Sequence, residues 1–260
     1  MCTIIAKKFP NIGWIGVKNR DRSSPTSTNL LRKNEKLLQR VTLVDDNTKW
    51  SEGTNSKGVS IISSSLTPIR LDKHDEHISK DGHLISIALS QPTVYEAIKS
   101  LHDHHIVGCV MIFDSTQLWL IEGKNGTKKQ VIREVKDDAV ARTNHGIWIP
   151  TAGYTEYTND PILRMRRISS EARLEIANHI ADVAKTPSDL LVLLAKEWVD
   201  NSQLTTLRKP GDIIKTRTTE QLMIIPKYKT LIVRNTNGVL DFNKNSADNS
   251  HNKVKIRLLD

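Results

Sequence analysis

The run Met1-Cys2-Thr3-Ile4-Ile5-Ala6 decides the reading of this chain. Its apolar residues form a strand, and removal of Met1 would leave a thiol and a free α-amine on one residue. The thiolate is the nucleophilic form of cysteine, and an amine of pKa about 8 accepts its proton near neutral pH. Nucleophile and base then arrive together, without a distant histidine. Lys7, Lys8 and Pro10 end the apolar run after a few residues, so the segment is not read as a secretory leader.

A chain of 260 residues can bury a sizeable core, and residues 1–260 are read as a single domain. The net charge of +9 is scattered, in short clusters such as Lys128-Lys129 and Arg164 to Arg167, and no basic arm is interleaved with aromatics. A solvated basic surface suited to an anionic small molecule follows, not a specific nucleic-acid or membrane partner. Cys109 sits inside the apolar run Ile106 to Phe113 and reads as a buried strand residue, not a disulfide partner. A soluble protein of the reducing cytoplasm is expected. His74, His77, His102, His104 and His105 lack a metal-ligand spacing, so neither metal nor cofactor is assigned.

Short β-like runs recur, separated by turn signals: Thr3 to Ala6, Trp14 to Val17, Val41 to Val44, Gly58 to Ser63, Leu84 to Leu89, Val107 to Phe113, Gln117 to Ile121, Gln130 to Glu134, Gln221 to Ile225, Thr230 to Arg234 and Val254 to Leu259. Glu52 to Asn55 reads as one of the turns, and Ser23 to Asn29 and Asp72 to Gly82 as exposed loops. Helical spacing appears at Thr93 to His102, Ser169 to Lys185 and Ser188 to Val199, the last opened by the capping sequence Thr186-Pro187-Ser188. Strands first, helices next and strands last give α+β with segregated layers. The polar stretch 235–253 is expected to be a mobile loop.

Behind Cys2 stand five further segments: Val17-Lys18-Asn19-Arg20-Asp21, Gly53-Thr54-Asn55-Ser56-Lys57-Gly58-Val59, Met111 to Asp114 with Leu120 to Glu122, Thr143-Asn144-His145, and Ser169-Ser170-Glu171-Ala172-Arg173. In order and spacing they resemble the N-terminal-nucleophile (Ntn) cysteine hydrolases of the choloylglycine hydrolase and C45 acyl-transferase superfamily. The resemblance implies a four-layer αββα sandwich, with two antiparallel sheets between helix layers. It implies Cys2 as nucleophile, Asp21 holding its amine, Asn144 donating to the oxyanion, and Arg173 locking Asp21. The second oxyanion donor maps near Ser65, where the family carries Asn. Lys18 stands where the family carries Arg, and a lysine does not reproduce a guanidinium's rigid fork of donors. Arg20 is assigned to the opposite face of that strand and given no part in the site. Asn19 to Arg22 also resembles the NRDE family, in which catalysis is not established, although the fourth residue here is Arg22.

The expected activity is thiol-dependent hydrolysis, or acyl transfer, at a linear carbon–nitrogen amide bond. The alternatives are an NRDE-like protein without catalysis and a basic binding protein on the same scaffold. Substrate identity and oligomeric state are not legible in these motifs.

Overall fold

Strand β1 (Cys2–Phe9) sends Ile4 and Ala6 to one side and Thr3 and Ile5 to the other, and the layers of the fold follow from such alternation. The computed structural model describes residues 2–22, 28–35, 38–45, 49–66, 76–124, 129–155, 158–196, 198–199, 204–206, 217–235 and 253–257. β1 pairs with β2 (Gly13–Arg22) in a hairpin and with β10 (Ala139–Arg142) on its other edge. β2 continues to β11 (Arg217–Ile225), β12 (Thr230–Asn235) and β13 (Lys253–Arg257), giving a six-stranded sheet in the order β10-β1-β2-β11-β12-β13. The second sheet holds β3 (Thr28–Glu35), β4 (Leu38–Asp45), β5 (Ser51–Asn55), β6 (Ser60–Ser64), β7 (Gly108–Phe113), β8 (Leu118–Gly123) and β9 (Gln130–Glu134) in sequence order. Every pairing between these strands is antiparallel.

Apolar side chains fill three layers. Between the sheets, Ile4, Ala6, Trp14, Val41, Ile62, Met111, Phe113 and Leu222 pack face to face. Outside the second sheet, helices α1 (Glu76–Ala88) and α2 (Val94–His102) cover Ile61, Val110 and Ile112 with Ile85, Leu89, Ala97 and Leu101. Outside the first sheet, α3 (Pro161–Val183) and α4 (Pro187–Leu194) cover Ile5, Ile15 and Val17 with Ala177, Ile180 and Leu190. The result is the expected αββα sandwich. It explains why Gly108 to Phe113 reads as one continuous apolar run: Cys109, Met111 and Phe113 face the other sheet, while Val110 and Ile112 face helices. Gly16 lets the sheets approach closely, since a Cβ there would stand 2.6 Å from the Phe113 ring and 2.9 Å from Ile62.

Several expectations fail locally. Leu84 to Leu89 is not a strand but the second half of α1 and the turn after it, because Leu84, Ile85, Ala88 and Leu89 are buried while Ile87 is exposed, a helical spacing. Residues 76–82 of the expected loop belong to the same helix. Glu52 to Asn55 is strand β5, and only Asn55 begins the turn, its Oδ1 accepting from Lys57 N and Val59 N at 2.9 and 3.1 Å. Thr28 and Asn29 of the expected loop belong to β3, residues 23–27 of it lie outside the described residues, and Ala139 to Arg142 adds an unforeseen edge strand. α3 begins eight residues before Ser169, because Asp160 caps it through Ile162 N and Leu163 N and Pro161 occupies its first turn. Residues 236–252 of the expected polar loop lie outside the described residues.

Candidate active site

The register of three strands assembles the site. Arg142 lies opposite Ile4, so Asn144, two residues on, comes abreast of Cys2. Cys2 N donates to Asn144 Oδ1 at 2.9 Å. The other end of that amide, Nδ2, donates to the carbonyl of Ser65 at 2.8 Å, and Ser64 Oγ donates to the carbonyl of Thr143 at 2.6 Å. Two bonds therefore staple the end of β6 to the end of β10, across the two sheets. Cys2 is 8% exposed and Asn144 2%.

Helix α3 approaches this junction from the other face. Its Ser169-Ser170-x-x-Arg173 sequence places a hydroxyl and a guanidinium one turn apart. Ser170 Oγ accepts from Asn144 N at 2.9 Å, and Thr143 Oγ1 donates to Ser170 O at 2.9 Å. Arg173, wholly buried, donates through Nη1 to Cys2 O and Thr3 Oγ1 and through Nη2 to Asn144 Oδ1, each at 3.1 Å, while Nε bonds Ser169 O. The same Nη1 lies 3.6 Å from Asp21 Oδ2. Burial lowers the Arg173 pKa from its ordinary value, opposed by Asp21, Tyr154 and Cys2. Arg173 thus spans Cys2, Asn144 and Asp21 together.

Asp21 sits against Arg173, the partner expected for it. It projects to the helix side of β2, accepts from Thr218 Oγ1 at 2.8 Å and faces Arg173. The acceptor of Cys2 N is Asn144, the residue expected to serve the oxyanion. Asn19, on the same face as Asp21, is a structural pin: Nδ2 donates to Leu194 O and Thr206 O at 2.9 and 2.8 Å, and Oδ1 accepts from Gln221 Nε2 at 2.7 Å.

Lys18, Arg20 and Arg22 alternate with those residues and point between the sheets. The assignment of Arg20 to the face opposite Lys18 is wrong: positions two apart on a strand share a face, and both cations meet Glu52. Lys18 Nζ and Arg20 Nη2 (2.8 Å) hold the two oxygens of this fully buried carboxylate, which also accepts from Ser63 N and Oγ at 3.0 and 2.8 Å. Arg20 Nη1 continues to Glu220 at 3.3 Å, and Arg22 pairs with Asp45 at 2.7 Å. Burial alone would raise the Glu52 pKa, but Lys18, Arg20 and the hydrogen bonds from Lys18 and Ser63 hold it down at about 2. Sequence reasoning missed Glu52 because it read the residue as part of a turn. Two cations on one strand face were the available signal, since they require a buried anion opposite.

The loop behind Asn144 is fixed as tightly. Glu122, fully buried on β8, accepts from Ile147 N and Ile149 N at 3.1 and 2.6 Å. Gly153 pairs with His145 at φ +71°, where a Cβ would stand 2.2 Å from Asn144 O. His145 Nδ1 lies 2.8 Å from Ser170 Oγ, and burial, with the Arg167, Arg173 and Arg142 charges, pushes its pKa down to about 4. Cys109, by contrast, is a buried core thiol, raised to about 12 by burial. Among the described residues no cluster of three or more His, Cys, Asp or Glu side chains could hold a metal ion, and no helix is long and apolar enough to cross a membrane.

Solved structures share this architecture over nearly the whole chain. Penicillin V acylase from Agrobacterium tumefaciens superposes with a TM-score of 0.56 at 14% identity, covering 90% of this chain and 83% of that one. The fold is that of the Ntn hydrolases. Two variants of the conjugated bile acid hydrolase from Clostridium perfringens give TM-scores of 0.51 and 0.54 at 12% and 11% identity. They cover 100% and 99% of this chain and 97% and 96% of their own. No family model matches the chain, and no curated protein matches it by sequence.

Proposed function

We propose that the protein is a thiol amidohydrolase or acyltransferase in which Cys2, freed of Met1, is the nucleophile. The bond between Cys2 N and Asn144 Oδ1 carries this reading, because it sets the main chain of a cysteine against an amide that Arg173 holds in place. Once Met1 is gone, that nitrogen is an amine. It takes the thiol proton, directly or through one water, and Sγ attacks the carbonyl carbon of a linear amide. The carbonyl oxygen gains the negative charge and binds the second Nδ2 hydrogen of Asn144 and a main-chain N–H near Ser65. The α-ammonium returns its proton to the departing amine as the C–N bond breaks, leaving a thioester on Cys2. A water, or an acceptor amine in a transferase, attacks the thioester, and the α-amine again carries the proton.

Within this scheme Asp21 and Arg173 act on the amine's surroundings, with Arg173 fixing Cys2 O and Asn144 Oδ1 in one geometry. Lys18 supports the site through Glu52, and the change to serine at position 65 leaves the main-chain donor available to the fold. The substrate is a small amide, and the basic surface suits an anionic one. A panel of N-acylated amines, read by release of the primary amine, tests the proposal. The mature protein should release amine from at least one member, and Cys2→Ala should release none. Amine release that persists in Cys2→Ala would refute it.

A further inference from the structure

Three cations, Lys18, Arg20 and Arg22, line the same face of β2 as the Cys2 side chain, and the register ranks them. Arg20 is the residue directly opposite Cys2 in the β1–β2 ladder, whereas Lys18 lies opposite Ile4 and Arg22 lies beyond the end of β1. Directly opposed residues of an antiparallel pair share a face with Cβ atoms about 4.5–5.5 Å apart, closer than the diagonal neighbours. The Lys18 ammonium is held by Glu52 Oε1, which also takes both Ser63 donors. The Arg20 guanidinium is instead held between Glu52 Oε2 at 2.8 Å and Glu220 Oε2 at 3.3 Å, and it is 4% exposed. A planar fork gripped on two sides by carboxylates cannot swing out, and it carries a charge that no accessible pH removes.

We propose that Arg20, and not Lys18, is the positioning residue that favours the thiolate of Cys2, with Glu52 and Glu220 fixing its guanidinium against the nucleophile's strand. The inference rests on Cys2 being the nucleophile, and it reassigns the supporting cation that the sequence placed at Lys18. Other charges surround Cys2: Lys18 and Arg22 on β2, Asp45 on β4, Glu52 on β5 and Glu220 on β11 between the sheets, Asp21 on β2 and Arg173 on α3 on the helix side, and the freed α-amine itself. Lys18 and Arg20 share Glu52, Arg20 and Arg22 share Glu220, Arg22 pairs with Asp45, and Asp21 faces Arg173. The cluster is balanced as a whole, so position decides which charge acts on Cys2, and Arg20 is the cation directly opposite it.

The test measures alkylation of Cys2 by iodoacetamide against pH in the mature protein, read by intact mass and needing no substrate. Arg20→Gln should move the midpoint upward and slow alkylation at pH 7 about tenfold, a change of one pK in thiolate fraction. Arg20→Lys should recover most of that rate. Glu220→Gln removes a negative charge beside Arg20 and should move the midpoint downward. A general loosening of the site would shift both neutralising variants the same way, so opposite signs identify the field, and Glu220→Gln decides the matter should Arg20→Gln not fold. Midpoints within a twofold rate of wild type in both variants, or shifts of the same sign, would overturn the assignment of Arg20. Wild-type protein that keeps Met1, or whose Cys2 never reacts, would overturn the reading of Cys2 itself and this inference with it.

Discussion

Replacing Glu52 by Gln removes the carboxylate that Lys18 and Arg20 share in the space between the sheets. All three side chains are at most 5% exposed, so no solvent replaces the lost charge. Breaking a buried pair by removing one partner costs about 3–5 kcal/mol, because the remaining charge stays desolvated. The pKa gives an independent scale: a carboxyl at about 2 when folded, against the ordinary 4.5, contributes roughly 3 kcal/mol at neutral pH. Its folded pKa is depressed, so the unfolded chain binds more protons. The contribution is therefore complete above about pH 4.5 and fades as pH falls toward 2. The assay is urea unfolding followed by far-UV circular dichroism between pH 3 and 7. Glu52→Gln should lose about 3–5 kcal/mol at pH 7 and should lack the portion of the acid dependence that falls below pH 4.5. A variant within about 0.5 kcal/mol of wild type, with an unchanged acid profile, would refute the role given to this carboxylate.

Asn144→Ala should lower turnover about 10²- to 10³-fold, the usual cost of one oxyanion donor, measured on whichever amide the wild type cleaves. Gly153→Ala should cost at least about 1–2 kcal/mol for its left-handed φ, and more for the clash with Asn144 O, seen as a lower thermal midpoint together with reduced turnover. His145 should titrate near pH 4 by its imidazole NMR signals and remain neutral from pH 6 to 8, so a midpoint near 6.5 would contradict its placement. Since that pKa is depressed from 6.5, its contribution to stability is present above pH 6.5 and lost as pH falls through 4.

The layers of the fold were legible because alternation in β1 and the continuous run in β7 record which faces are buried. Where one face must meet a helix and the other a sheet, the pattern is apolar on both and cannot separate strand from helix. Leu84 to Leu89 failed for a related reason: Ile87, exposed on the helix, extends the apolar run so that it reads as a strand. Local propensity also misread Glu52 to Asn55 as a turn, since Glu52 earns its strand position only from cations brought by β2. At the site, the spacing of Thr143-Asn144 and Ser169 to Arg173 signalled residues that the structure does bring to Cys2. What the sequence could not supply was the acceptor of Cys2 N, which depends on the β1–β10 register, and the buried pairing that separates the roles of Lys18 and Arg20.

The central claim, that Cys2 supplies both sulfur and amine, is tested most directly by intact mass of the purified protein before and after a thiol alkylator. The account predicts a chain beginning at Cys2 that takes one label there, while Cys109, buried and raised to about 12, stays unmodified in the folded protein. A chain that retains Met1, or a folded protein labelled at Cys109 and not at Cys2, would contradict it.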